Sequence, residues 1–258
     1  MMISTMNGDK LKLNMQRAGA VLFWLLVWQA ASMALKQEIL LASPVSVAAR
    51  LGGLVRELEF WEATAFSFFR IVTGFLLALV AGILLAVVSF RFKLAAVLAN
   101  PLITVIKSTP VASFIILCLI WIPSRNLSVF ISFLMVLPVV YTNILEGIRK
   151  TDNKLLEMAQ VFQIPFSRRV LYIYLSQILP YLMSACTVSL GLCWKAGVAA
   201  EVIGVPAGSI GEKLYHAKIY LNTPDLFAWT IVIIAVSFAF EKCFLFLMRT
   251  GIGWIERR

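Results

Sequence analysis

Six long apolar stretches separated by short polar ones organise the chain, at roughly residues 18–35, 63–90, 102–122, 128–146, 177–200 and 224–248. Each is near or above the roughly 20 residues that a helix needs to cross a hydrocarbon core. In that solvent the backbone must satisfy its own hydrogen bonds, which a helix does within one segment. Membrane strands would be shorter and would alternate apolar with polar positions, and these stretches do not. The pattern predicts an all-α polytopic membrane protein with six transmembrane helices. A cytoplasmic N-terminal segment, 1–17, precedes a single transmembrane domain, 18–258. Pro101 and Pro110 interrupt the third stretch. The sixth opens on NTPD, where Thr223 can cap the helix, Pro224 fits the first turn and Asp225 complements the dipole. The N-terminus is basic and then apolar, as a signal peptide begins. Its apolar run is too long and no small-x-small site follows closely, so an uncleaved first span is expected.

Composition sharpens this picture. Only 14% of the residues are charged, against about 25% in an ordinary soluble domain. The net charge of +10 would suit nucleic acid, but the basic residues flank the apolar stretches, where they set topology. No nucleic-acid partner is expected. With the N-terminus in the cytoplasm, the inner segments hold Lys10, Lys12, Arg17, Arg91, Lys93, Arg149, Lys150, Lys154, Arg168, Arg169, Arg249, Arg257 and Arg258. The outer ones hold only Lys36, Arg50, Arg56, Arg125, Lys213 and Lys218. Both termini and the segment 147–176 are thereby assigned to the cytoplasm. Cys118, Cys186, Cys193 and Cys243 lie in apolar runs without metal-ligand spacing and read as packing residues. GSIGEK at 208–213 is not a phosphate-binding loop, and His216 has no triad around it, so neither a catalytic residue nor a metal site is expected.

The segment 147–176 is polar, basic and broken by proline. Asn153 can cap a first short helix carrying Leu155, Leu156, Ala159 and Phe162 on one face. Pro165 ends it by pushing Ile164 out of the helical region, and Ser167 can cap a second helix that runs into the fifth span. Such an element can lie in the headgroup layer, serve as a connector, or dock in a groove of a cytoplasmic partner.

EMAQVFQI followed by VLYIYLSQILP resembles the cytoplasmic signature of the membrane permeases of ATP-binding-cassette (ABC) importers. Glu157, Met158 and Ala159 stand at Glu-Ala-Ala, and Gln163 stands at the glycine. Ile173 and Leu175 stand at Ile-x-Leu, and Ser176 replaces the proline. LASPVSVAARL (41–51), FSFFRIVTGFLLALVAGILLAV (66–87) with Ser67, Arg70, Gly74 and Phe75, the two-proline third stretch, and WKAGVAAEVIGVPAGSIGEKLYHA (194–217) are similar, in order, to permeases of the nitrate, sulfonate, taurine and bicarbonate group. The resemblance implies the type I importer fold in a bacterial cell membrane. Its partners would be a second permease chain, by default identical, a cytoplasmic ATPase dimer, an extracytoplasmic substrate-binding protein and membrane lipid. ATP and Mg would be held by the ATPase, so this chain is expected to carry no cofactor. It further implies that Lys154, Leu155, Glu157, Met158, Ala159, Phe162, Gln163, Ile164, Pro165, Arg168 and Arg169 form the ATPase-coupling element. A glycine turn there would use a left-handed backbone, which makes Gln163 a departure.

Charges within the stretches are the remaining candidates, because burying them is costly unless they face a cavity or partner. Arg70, Lys107, Pro110, Trp194, Lys195 and Glu201 are assigned to a translocation pathway. Glu241 and Lys242 are assigned to pairing or to reaching the interface. Basic groups along a pathway would favour a small anion. Trp24, Trp28, Trp61, Trp121, Trp194, Trp229 and Trp254 are expected as interface anchors, and Gly74, Gly82, Gly191 and Gly197 as points of close helix packing. A secondary transporter working without an ATPase, or a membrane scaffold that transports nothing, are the alternative functions. Six spans without a duplicated half argue against the former.

Overall fold

The computed structural model describes residues 3–255, with side chains from residue 15 onward except at 17, 171, 252, 254 and 255. The side chains of Lys10, Lys12, Arg17 and Trp254, and all of Arg257 and Arg258, lie outside the described residues. Among the described residues every regular element is helical. They are α1 (Ile3–Leu35), α2 (Pro44–Leu54), α3 (Leu58–Arg91), α4 (Lys93–Ser108), α5 (Val111–Cys118) and α6 (Ser124–Arg149). Then follow α7 (Asn153–Val161), α8 (Phe166–Arg169), a π-helical turn (Val170–Tyr174), α9 (Leu175–Gly204), α10 (Ile210–Ile219) and α11 (Thr223–Ile255). Among the described residues five stretches are long and apolar enough to cross a membrane: Ala18–Leu35, Leu58–Arg91, Ser124–Arg149, Phe166–Gly204 and Thr223–Gly251.

A sixth arises only if α4 and α5 are counted as one broken span, since they meet at 106°. The third span expected over 102–122, interrupted by Pro101 and Pro110, therefore forms as two helices that break at Pro110. Pro110 has no N–H to continue α4, and Thr109 before it is held extended (ψ 130°). Pro101 sits inside α4 without ending it.

Three caps also differ from expectation. The carboxylate of Asp152, not the Asn153 side chain, accepts from Lys154 N at 2.8 Å and starts α7. α8 begins after Pro165, so Ser167 lies inside it and caps nothing. Asn222 Oδ1 accepts from Asp225 N at 3.3 Å at the start of α11, while the Thr223 hydroxyl donates to Ile39 O at 2.6 Å.

The chain divides into two compact units, Met1–Phe60 with Lys213–Ile231, and Trp61–Glu212 with Val232–Arg258. In the first, Trp28 packs on Phe227 and donates to Ala42 O at 3.0 Å. Phe60 stacks against the buried Trp229, ring centres 5.2 Å apart. Arg50 pairs with Asp225 and with Glu57, and Lys213 pairs with Glu59. The hydrogen bond to Asp225 is the main reason that the Arg50 guanidinium holds its proton more firmly than an ordinary arginine. These residues rim a polar cavity of about 200 Å³ with His216 and Tyr220 on its wall.

The second unit is built on α6 and α9. Ile115, Cys118, Leu127, Ile131, Ala196 and Ala200 form a buried cluster among α5, α6 and α9. Ser132 Oγ donates to Cys193 O at 3.1 Å between the two long helices. A Cβ at Gly197 would lie 2.6 Å from both Ile71 Cγ1 and Ser132 Oγ, and one at Gly74 would meet the Val129 carbonyl. Here the lack of a side chain lets the helices approach, and Gly82 does the same against Val140. Gly191 was expected in that group, yet nothing lies within 4 Å of its Cβ position, because it faces an open groove. Trp194 and Trp229 are buried at 2% and 3% exposure, so they are core residues and not the expected interface anchors.

Candidate functional site

The turn after α7 is built locally. Ile164 N donates to Ala159 O at 2.9 Å and Gln163 N to Gln160 O at 3.0 Å, the paired bonds of a Schellman C-cap. Such a cap needs one left-handed residue, and Gln163 supplies it at φ 53°. The turn that a glycine would make is thus kept without the glycine. Pro165 then blocks a helix at Ile164, and Arg169 Nε donates to the Ile164 carbonyl at 2.6 Å, tying α8 back onto the turn. Asp152 N donates to Gln177 Oε1 at 2.9 Å, which fixes the entry of α7 against α9. Lys150 pairs with Glu146 one turn back at 2.7 Å, and that bond raises the pKa of the ammonium.

This scaffold leaves apolar side chains uncovered. Val161, Phe162 and Phe166 are 78%, 72% and 75% exposed, and Leu155, Met158 and Tyr172 are exposed as well. Phe162, Gln163, Ile164, Pro165, Arg168, Tyr172 and Ile173 line a groove of about 450 Å³. Arg168 on its wall is exposed, as are Lys154 and Glu157 on α7. Two expected contacts are corrected. Ala159 is wholly buried within the chain and cannot touch a partner. Arg169 is partly buried and engaged with Ile164 O, so it shapes the turn. Val161 and Tyr172 are exposed here but were not in the expected set; for Val161 the signal was an apolar residue facing away from Ala159 on a short helix.

The expected pathway residues do not converge on one place. Arg70 donates to the Arg125 carbonyl and to Asn126 Oδ1 at 3.1 Å, and lies over the Phe66 ring at 4.4 Å, so it ties α3 to the start of α6. Lys107 is exposed on α4 and reaches Thr142 Oγ1 at 3.5 Å. Pro110 forms the α4–α5 corner. Trp194 packs against Phe68 and Phe240, and its buried indole N–H has no acceptor. Lys195 is exposed, about nine residues inside α9.

Glu201 is wholly buried. Ser67 Oγ donates to its Oε2 at 2.6 Å and itself accepts from Ile210 N at 2.9 Å, while Gly211 N approaches the same oxygen at 3.4 Å. A carboxylate on α9 and a hydroxyl on α3 therefore satisfy the first amides of α10, where a helix leaves N–H groups unpaired and favours negative charge. Gly211 allows this approach, since a Cβ there would collide with the Glu201 backbone. Ser209 and Glu212 complete the start with a capping pair, Glu212 N to Ser209 Oγ at 3.0 Å and Gly208 N to Glu212 Oε2 at 2.7 Å. The S-x-x-E spacing of 209–212 was the readable signal for this helix start.

Residues 78–250 match the family model of the binding-protein-dependent transport system inner membrane component. Among curated relatives, a permease of Bacillus subtilis named for aliphatic sulfonates transport, SsuC, is 24% identical over 230 residues, 88% of this chain and 83% of its own length. The bicarbonate transport system permease protein CmpB of Synechococcus elongatus is 27% identical over 208 residues, 80% of this chain and 72% of its own length. The taurine transport system permease protein TauC of Escherichia coli is 23% identical over 233 residues, covering 88% and 84%. With its helical spans and this match over two thirds of its length, the chain belongs to the family of binding-protein-dependent transport system inner membrane components, as an ABC-importer permease of the bacterial inner membrane.

Proposed function

We propose that this permease forms the translocation pathway for a small anion delivered by a soluble binding protein, and that it draws energy from a cytoplasmic ATPase seated on the 154–169 turn. The carrying observation is the exposed apolar rim of Val161, Phe162 and Phe166 around a turn held rigid by backbone bonds. Apolar side chains displayed on a rigid turn between two spans are a ready knob for a partner groove. Lys154, Glu157 and Arg168 supply the polar rim that selects the partner. ATP and Mg belong to that ATPase, and both chain termini lie on its side of the membrane. The anion is supported by the net charge of +10, by an unpaired Lys195 within α9, and by relatives named for sulfonates, bicarbonate and taurine. A second copy of this chain completes the pathway.

Affinity purification of the tagged chain in mild detergent tests the coupling reading. A P-loop ATPase should co-elute, and Phe162→Asp or Arg168→Glu should release it while the chain still elutes as a folded, monodisperse species. A chain that never carries an ATPase, with both variants behaving like the parent, would remove the importer mechanism.

A further inference from the structure

Two arginines without an ion-pair partner among the described residues stand at the head of an apolar groove in the second unit. Arg70 on α3 donates from Nη1 to the Arg125 carbonyl and, at 3.1 Å, to Asn126 Oδ1 at the start of α6. Among the described residues its Nε and Nη2 make no hydrogen bond, and the exposed Arg125 side chain makes none either. The carboxylate within electrostatic reach of Arg70 is Glu201. It is wholly buried and already takes the Ser67 hydroxyl and the Gly211 amide. From Asn126 a groove of about 440 Å³ runs along α3 and α6, lined by Leu77, Ile122, Asn126, Val129, Phe130 and Phe133. Asn126, Val129, Phe130 and Phe133 share one face of α6 at i, i+3, i+4 and i+7, and Leu77 stands two turns of α3 on from Arg70. Apart from Asn126 the lining is apolar.

The depth of these groups identifies the occupant. Arg70 lies 21 positions from Arg91 at the end of α3, roughly 31 Å at the helical rise, which is about the thickness of a hydrocarbon core. Arg125 lies 24 positions from Arg149 at the end of α6, roughly 36 Å. Arg91 and Arg149 thus mark one headgroup level, and Arg70 and Arg125 mark the opposite one. The groove runs inward from that level to Phe133, roughly 10 Å beyond Asn126. We propose that it holds an anionic phospholipid, with the phosphate on Arg70 and Arg125 and one acyl chain between α3 and α6. Guanidinium forks fit phosphate oxygens, and two adjacent cations favour a headgroup of net negative charge over a zwitterionic one. A free anion would use the arginines and leave the apolar groove empty. A second copy of this chain does not fit the charge. A two-fold axis along the membrane normal brings residues of equal depth together, and in this groove it would set the arginines of one copy against those of the other.

The purified full chain in a neutral mild detergent, melted with increasing phosphatidylglycerol, tests this. Phosphatidylcholine and glycerol 3-phosphate serve as the zwitterionic-lipid and headgroup-only probes. Phosphatidylglycerol should raise the melting temperature in a saturable way, at a concentration about fivefold or more below that needed with phosphatidylcholine, and glycerol 3-phosphate should leave it unmoved. Arg125→Gln removes one cation and should weaken the phosphatidylglycerol effect about fivefold. Leu77→Trp, at an exposed position, fills the groove and should weaken it too. Arg125→Lys, which keeps the charge, and Arg91→Gln, which removes a cation at the far end of α3, should both behave like the parent, which separates the site from general attraction to a basic protein and from lost folding. No shift, equal shifts with both lipids, a shift that survives both Arg125→Gln and Leu77→Trp, or one weakened equally by Arg91→Gln would overturn the site. So would a shift reproduced by glycerol 3-phosphate, which would make it a site for a free anion. Conversion of a dimer to a monomer by Leu77→Trp would also overturn it, by giving the groove to a second copy.

Discussion

At Gln163 the backbone takes the left-handed form, φ 53°, that a side chain disfavours. That form costs a non-glycine residue about 1–2 kcal/mol, against the larger chain entropy that glycine loses on folding, about 0.5–1 kcal/mol. Gln163→Gly should therefore stabilise the chain slightly, by about 0.5–1 kcal/mol, and leave ATPase binding intact. Gln163→Val should weaken both, because a β-branched residue tolerates this region least. Melting temperature and co-elution, measured on the same preparations, check the pair. A different residue-scale constraint sits at Gly211, where any Cβ meets the Glu201 backbone. Overpacking of this kind costs about 1–3 kcal/mol, so Gly211→Ala should lower the melting temperature, whereas Gly253→Ala, with nothing within 4 Å, should not.

The start of α10 shows how an element is held from outside itself. Ser67 and Glu201 lie on other helices, 134 positions apart, and take up the Ile210 and Gly211 amides. Removing the hydroxyl leaves a buried N–H and a buried carboxylate each short of a partner, a loss of about 1–3 kcal/mol. Ser67→Ala should accordingly speed hydrogen exchange at Ile210 and Gly211 and lower the melting temperature. Ser67→Thr, which keeps the hydroxyl, should stay near the parent in exchange rate at those amides. An unchanged exchange rate in Ser67→Ala would mean that α10 is secured by its own Ser209–Glu212 capping pair alone. None of this trans-capping was legible in the sequence, where Glu201 showed only as a charge in a span, because the contact joins residues far apart in the chain. The spans themselves were legible, since a continuous apolar run has one solution in lipid. The turn after α7 was legible in its position: the resemblance put Gln163 where a glycine would go left-handed, while the Schellman bonds that hold it so, Ile164 N to Ala159 O and Gln163 N to Gln160 O, were not. The bend between α4 and α5 was half visible, as Pro110 marks the break but not the 106° angle.

On the scale of the whole molecule, the proposed direction of the fold rests on the distribution of basic residues in the sequence. In sequence, Lys93, Arg149, Lys150, Lys154, Arg168 and Arg169 fall at the start of α4, the end of α6 and the segment between α6 and α9, while Arg50, Glu57, Glu59, Lys213 and Asp225 form ion pairs at α2, α10 and the start of α11. The first set carries a positive excess, only Lys150 being ion-paired among the described residues, with Glu146, and such an excess favours the cytoplasmic side; the second set is nearly neutral. Single-cysteine labelling in intact cells checks the direction. Cys118, Cys186 and Cys193 are buried and stay silent, and Cys243, which is exposed, is first replaced by serine. A cysteine at Glu157 should then react with a membrane-impermeant maleimide only after the cells are opened, and one at Lys218 should react from outside. Labelling of the Glu157 position in sealed cells would place the apolar knob outside the cell, beyond reach of any ATPase, and would end the coupling proposal without disturbing the helices that carry it.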